Sequence, residues 1–217
     1  MTPEFEALSE TALKMAKTVG MAPADAVEVL SDSVNQFGLN LTQASRVADV
    51  FFTASKVSTL TVPQLVDSMR EAGAAASSMG ISLEETAAVL SGFASKGVKG
   101  AKAGTAFRMI LTRLAKPPEE AARALSFLGV SIFDAQGEMR PLIPILKDMQ
   151  TGMKGLTGAQ KAAVLKAIAG EEAFSKLGGL LDGNLDTIES WRKELEASGA
   201  LQVAFTQKMS SASEQVH

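Results

Sequence analysis

The chain has 217 residues, enough for one domain of ordinary size with a sizeable apolar core. Apolar residues make up 46% but aromatics only 5%, with no Tyr and the single Trp191; this Ala-, Leu- and Met-weighted mixture favours helices, where those side chains lose little rotamer freedom. A net charge of −3, no Cys and one His, His217, exclude disulfide frameworks, thiolate or multi-histidine metal centres, and Ser-His or Cys-His nucleophile pairs.

No run of about 18 uncharged apolar residues is present, and the start, Met1-Thr2-Pro3-Glu4-Phe5-Glu6, is acidic where a signal peptide would be basic. The expectation is a soluble chain made in the cytoplasm, with no membrane contact evident in this segment. Charge is unevenly spread. Residues 1–85 hold 11 acids and 5 bases, whereas residues 86–118 hold no acid and six bases: Lys96, Lys99, Lys102, Arg108, Arg113 and Lys116.

Phe5, Leu8, Ala12, Met15 and Val19 recur at three-and-four spacing and predict an amphipathic helix over 4–19, stopped at Gly20. Pro23 suits the first turn of the next helix, whose stripe is Val27, Leu30, Val34 and Phe37. A helix-start pattern then repeats every 21 residues, at Gly38 to Gln43, Thr59 to Gln64 and Gly80 to Glu85. Each copy places Asn40, Thr61 or Ser82 three residues before Gln or Glu, the spacing of a capping box, in which cap and third residue satisfy each other's backbone donors. The predicted stripes are Ala44, Val47, Ala48 and Phe51; Leu65, Met69, Ala72 and Ala76; Leu83, Ala87, Leu90 and Ala94. Gly20 to Asp25 resembles a degenerate fourth copy. A short helical array with a continuous groove would produce this repetition, and so would a compact bundle that reuses good caps.

A glycine-lysine joint follows, Lys96-Gly97-Val98-Lys99-Gly100-Ala101-Lys102-Ala103-Gly104. It is not a phosphate loop: it lacks a Gly-Lys-Ser/Thr run, and the element before it reads as a helix, not a strand. Gly100 and Gly104, four apart, would let another helix approach closely, with Gly97 the third structural glycine. Lys96, Lys99, Lys102, Arg108 and Arg113 are the candidate partner-contact residues, either as a solvated face opposing an acidic surface or through phosphate groups of a nucleic acid. Phe107 lies on the apolar stripe of the following helix, with Ala103, Ile110, Leu111 and Leu114, so it is not an interleaved stacking aromatic.

Pro118-Glu119-Glu120 opens a helix with the buried face Ala121, Ala124, Leu125 and Leu128, capped by Gly129. Val130-Ser131-Ile132, the turn Asp134-Ala135-Gln136-Gly137 and Met139 to Leu142 predict a small hairpin, which must lean on helices to persist. Leu142, Ile145, Leu146, Met149 and Met153 continue as a helix; Thr157 with Gln160 forms another capping box; Phe174, Leu177, Leu180 and Leu181 follow, broken at Asp182-Gly183-Asn184. Leu185, Ile188, Trp191 and Leu195 mark a further helix to Gly199, after which the sequence is weakly helical and polar. The paired acids Glu84-Glu85, Glu119-Glu120 and Glu171-Glu172 each fall at a helix start, where capping and the helix dipole account for them without catalysis.

The expected fold is therefore all-α, a multi-helix array or bundle of short amphipathic helices with one small β-hairpin near 130–142. The expected organisation is an N-terminal helix (1–20), a helical core (21–182) and the start of a helical extension (183–217). No catalytic, metal-ligating or cofactor-binding residue is assigned, and the chain is not expected to be an enzyme.

Gly80 to Ala88, Gly97-Val98-Lys99-Gly100 with Ala103 to Arg108, Leu111 to Lys116, and Leu128-Gly129-Val130 through Asp134, Gly137 and Arg140-Pro141-Leu142 together resemble the core region of phage tail tape measure proteins. Looser similarity runs from about Met21 to Leu181; Ala169 stands where that family tends to carry a bulky apolar residue. The resemblance implies a structural protein that occupies the tail lumen and sets tail length while tail tube subunits polymerise around it. It would leave before or with the DNA. It also implies tail tube protein and tail assembly chaperones as partners, self-association as a further option, and location in a virion tail assembled in the host bacterial cytoplasm. Such proteins run to many hundreds of residues, so a fragment or a decayed prophage gene is expected here. The competing class is a helical adaptor or effector that binds a membrane surface or nucleic acid, DNA included, through the basic joint.

Overall fold

The computed structural model describes residues 2–197 and 199–214; His217 lies outside them. Twelve α-helices are found there: α1 (Pro3–Val19), α2 (Pro23–Gln36), α3 (Ala44–Val57), α4 (Val62–Ser78), α5 (Leu83–Ser95), α6 (Ala101–Ala115), α7 (Glu119–Leu128), α8 (Leu142–Gly152), α9 (Gly158–Ala169), α10 (Phe174–Leu181), α11 (Leu185–Glu196) and α12 (Ala200–Glu214), with a 3-10 turn at Leu41–Gln43. Among the described residues no helix is long and apolar enough to cross a membrane.

The bundle is built around α5. Every residue from Leu83 to Ala94 is buried, polar ones included, so the predicted one-sided stripe of Leu83, Ala87, Leu90 and Ala94 understates this helix. Its small residues explain the encirclement, because Ala87, Ala88, Ser91, Gly92 and Ala94 leave room for α3, α4, α6, α8, α10 and α11 to pack on it. At Gly92 the methyl ends of Ile188 and Leu180 occupy the space a Cβ would need, at 2.4 and 2.8 Å if built without movement.

The 21-residue repetition does not produce an array. In a stacked array each unit touches only its neighbours, but here α3, α4 and α5 all pack on one another. Two of the three repeated capping boxes are complete, Asn40 with Gln43 and Thr61 with Gln64, as is the separate Thr157 with Gln160. The Ser82 copy is only half of one: Ser82 Oγ accepts from the Glu85 N–H at 3.1 Å, while the Glu85 side chain turns away to another helix. The degenerate copy has Ala22 at the cap position, which offers no side-chain cap to α2.

The expected hairpin is absent as a pair of strands. One isolated bridge, Phe133 with Met139, remains among the described residues. Asp134 Oδ1 accepts from the N–H groups of Gln136 and Glu138 at 2.9 and 3.0 Å, and two main-chain bonds, Asp134 N–H to Glu138 O and Arg140 N–H to Ile132 O, both at 2.9 Å, close the turn without extending into strands. On one side Val130 N–H returns to Leu125 O, and on the other Pro141 leads directly into α8, which leaves no length for two strands.

Leu185, Ile188 and Leu195 are buried, and α11 packs on α5, α3 and α8, so residues on both sides of position 182 share one core. The polar stretch after 200 forms α12, which lies against α1 and α3.

Candidate partner surface at the glycine-lysine joint

The joint between α5 and α6 is a packing device. Gly97, at φ 81°, ends α5 with its N–H on Ala94 O while Val98 N–H reaches back to Phe93 O, a left-handed stop that glycine adopts at least cost. Gly104 lies against α4: a Cβ there would stand 2.3 Å from the Ser68 carbonyl oxygen and 2.7 Å from Glu71 Cβ. Ser68 Oγ in turn lies 2.8 Å from the Gly100 carbonyl oxygen, pinning the start of α6 to α4. Gly100 holds φ 61° and ψ −149°, a conformation open essentially to glycine.

The joint's basic residues do not converge. Lys99 Nζ donates to the Thr59 carbonyl at 2.7 Å, and Arg108 pairs with Glu71 at 3.4 Å. Arg113 closes the C-terminal end of α9, donating from Nε to Ile168 O at 2.9 Å and from Nη2 to Ala167 O at 2.8 Å, with Glu120 at 3.1 Å. A cation at the negative end of a helix is favourable there. Lys96 and Lys102 are exposed and make no hydrogen bond or ion pair with the described residues. They sit apart: Lys102 shares a shallow groove with Glu172 and Lys176, Lys96 another with Ile188 and Trp191. Trp191 is half-buried against the core.

The more elaborate electrostatics lie in buried acids on the central helices. Arg46 of α3 makes a two-pronged pair with Glu84, Nε to Oε1 at 2.6 Å and Nη2 to Oε2 at 2.9 Å, with the Glu84 side chain nearly inaccessible. The Glu84 hydrogen bond raises the Arg46 pKa further above its ordinary value. Glu85 Oε1 accepts the N–H of Ile143 at 2.9 Å, capping α8 from a distance of 58 residues in sequence. Burial raises the Glu85 pKa above its ordinary 4.5, against the lowering effect of the Ile143 and Leu142 amides. Asp49 of α3 does the same for α12, accepting from Gly199 N–H and Leu201 N–H, both at 2.8 Å. These roles were not read from the spacing. The available hint for Asp49 is an acid inside the apolar run Val47-Ala48-Asp49-Val50-Phe51-Phe52.

The sequence of this bundle matches a known family over most of its length. The family model for phage-related minor tail proteins covers residues 3–170. The chain belongs to the phage-related minor tail protein family. Two curated relatives carry related descriptions. A tape measure protein of Pneumococcus phage Dp-1 is 34% identical over 183 residues, 84% of this chain and 16% of that protein. A probable tape measure protein of Escherichia phage P2 is 30% identical over 190 residues, 85% of this chain and 23% of that protein. The chain thus spans between 16% and 23% of the length of these two relatives. No solved structure matches this chain.

Proposed function

We propose that this chain is a folded region of a tail tape measure protein, a scaffold inside the tail tube that sets tail length during assembly and takes part in DNA delivery. The observation that carries this reading is the family match over residues 3–170, joined by two relatives named as tape measure proteins. In this reading the role is structural and not catalytic. The tail tube protein and tail assembly chaperones are its partners, met in part through the unpaired Lys96 and Lys102. Residues 1–20, 21–182 and 183–217 would correspond to an entry helix, the shared core and the lead into the rest of a longer protein.

The fold bears on how such a region could measure. A compact domain of this size has a radius of gyration of about 17 Å, whereas the same residues in one continuous helix would extend about 325 Å. Folded as seen, the bundle adds to a ruler about its own diameter and not that extended length. The test is an in-frame deletion of the segment coding for residues 3–170 in its phage or prophage, with tails measured by electron microscopy. Loss of tails or a fixed shortening supports the proposal; tails of unchanged length and unimpaired infectivity overturn it.

A further inference from the structure

α12 is fastened unlike its neighbour α11. Among its side chains from Ala200 to Ser211, Leu201 alone is buried (4%), Ala200 and Ala204 rest half-buried against the core, and Val203 (59%) and Met209 (46%) face solvent. Ala200, Leu201, Ala204 and Lys208 fall on one side of the helix, so its inward stripe holds one large apolar side chain. α11 buries three: Leu185, Ile188 and Leu195.

Polar contacts supply the rest of the attachment. Asp49, 7% exposed, accepts from the Gly199 and Leu201 N–H groups at 2.8 Å each, a carboxylate at the positive end of the helix. Lys208 Nζ donates to the Lys17 and Thr18 carbonyls at 2.7 and 3.3 Å, a cation at the negative end of α1. The chain enters α12 through Gly199 at φ 101°, a conformation that glycine adopts at little cost. The family match closes at residue 170, so α12 lies outside it, whereas α1 and α3, on which α12 packs, lie within it.

We propose that α12 is a latched strap: it opens from α1 and α3 as a unit, with Gly199 as its hinge and Asp49 and Lys208 as its latches, while helices α1 to α11 stay folded. One leucine and two half-buried alanines supply little apolar burial to hold it closed. A separate helix of 15 residues is marginal in water, so leaving and melting coincide. Melted, those 15 residues reach about 50 Å where the helix spans about 22 Å, so opening lengthens the lead out of the bundle and uncovers the α1–α3 face. The centre does not follow, because α5 is packed by other helices along its whole length. The strap rests on contacts inside the bundle, and its failure leaves the tail-length reading untouched.

The chain has no Cys, so a single introduced thiol is the only one an aromatic disulfide reagent can modify. Leu201→Cys reports on α12 and Leu90→Cys on α5, each rate being taken relative to the same variant unfolded in denaturant. Leu201→Cys should react on the order of a hundredfold faster than Leu90→Cys, and adding Asp49→Asn should speed the first at least tenfold and the second less than about twofold. Lys208→Met should speed Leu201→Cys by a smaller factor, about threefold, because its tether is exposed. The smaller side chain at 201 loosens the strap by itself, so amide exchange of the unaltered chain is the second reading. The amides of α12 should exchange through an opening that low urea barely changes, and those of α5 with the steep urea dependence of global unfolding. Protection of Leu201→Cys and of the α12 amides equal to that of α5 overturns the proposal, as does an Asp49→Asn effect equal at both thiols. Exchange of α12 at the unfolded rate in the parent overturns it too, because nothing would then be latched.

Discussion

The starts of α4 and α9 and the starts of α8 and α12 solve one problem by opposite means. All four helices open with backbone N–H groups that have no partner inside the helix. In α4 and α9 the adjacent Thr61 and Thr157 supply the acceptor, each answered by a Gln three residues on. In α8 the preceding residue is Pro141, which has no side-chain acceptor, and Glu85 supplies one from the centre of the bundle; in α12 Asp49 does so. A local cap works as soon as one turn forms. A remote cap exists only after α3 and α5 are in place, so it binds later helices to earlier ones and makes their stability conditional on the core.

Changes at these positions break or sharpen that contrast, and the largest effect should come from the core that both classes depend on. Gly104→Leu must force α6 away from the Ser68 backbone, because the obstacle is main chain and cannot rotate aside. A loss on the order of 3 kcal/mol in chemical denaturation is expected, although the Thr61 cap of α4 remains intact. Unchanged unfolding would remove the close-packing account of the joint.

Next in size is Glu85→Ala, which leaves the buried Ile143 N–H without an acceptor and should cost about 1–3 kcal/mol. Asp49→Ala should match it in kind but act locally, with amide exchange accelerating in α12 and at Gly199 before the centre of the bundle responds. Exchange that rises equally everywhere would show α12 to be an inseparable part of the core.

Glu85 also gives the remote class a pH signature. Its folded pKa is raised by burial, so the folded carboxyl holds its proton at pH values where the unfolded one has released it. The stability it contributes is fully present below about 4.5 and is lost as pH rises through the higher folded value. Glu85→Gln keeps an oxygen acceptor for Ile143 and cannot ionise. The stability of this variant relative to the parent should therefore climb as pH rises through that window; a difference that stays flat with pH contradicts the assignment.

The local class should respond less and independently of pH. Thr157→Ala is expected to cost about 1 kcal/mol, read as a lowered denaturation midpoint without a change in slope. Smallest of all should be Lys99→Glu with Lys102→Glu. Lys99 gives up one hydrogen bond to Thr59 O and Lys102 none, so the fold should lose no more than about 1 kcal/mol and its circular dichroism should be unchanged. Loss of the helical spectrum would give these lysines a structural role.

The contrast also marks what could be read in advance. Thr61 with Gln64 and Thr157 with Gln160 are visible as spacings, because both partners of a capping box lie within one turn. Glu85 has the same spacing from Ser82, yet its carboxylate serves α8, because α5 is surrounded and its first turn faces protein where the other two face water. The segment 130–142 likewise shows alternation and a good turn, but Asp134 satisfies the turn amides itself and Pro141 starts a helix. Arg113 shared the basic window with Lys102; only the approach of α9 to its guanidinium separates a helix clamp from a free cation.

The sequence by itself determined the helices, their stops at Gly20 and Gly129, the close glycine contact at 104 and the family, because each depends on residues a few positions apart or on the order of the chain. Only the tertiary structure decided that α5 would be the encircled axis, that Glu84, Glu85 and Asp49 would be buried with partners, and that the basic window would be dispersed. The physical reason is desolvation. An acid or a base on a helix is a solvated charge, a cap or a clamp according to what removes its water, and that is fixed by neighbours tens of residues away.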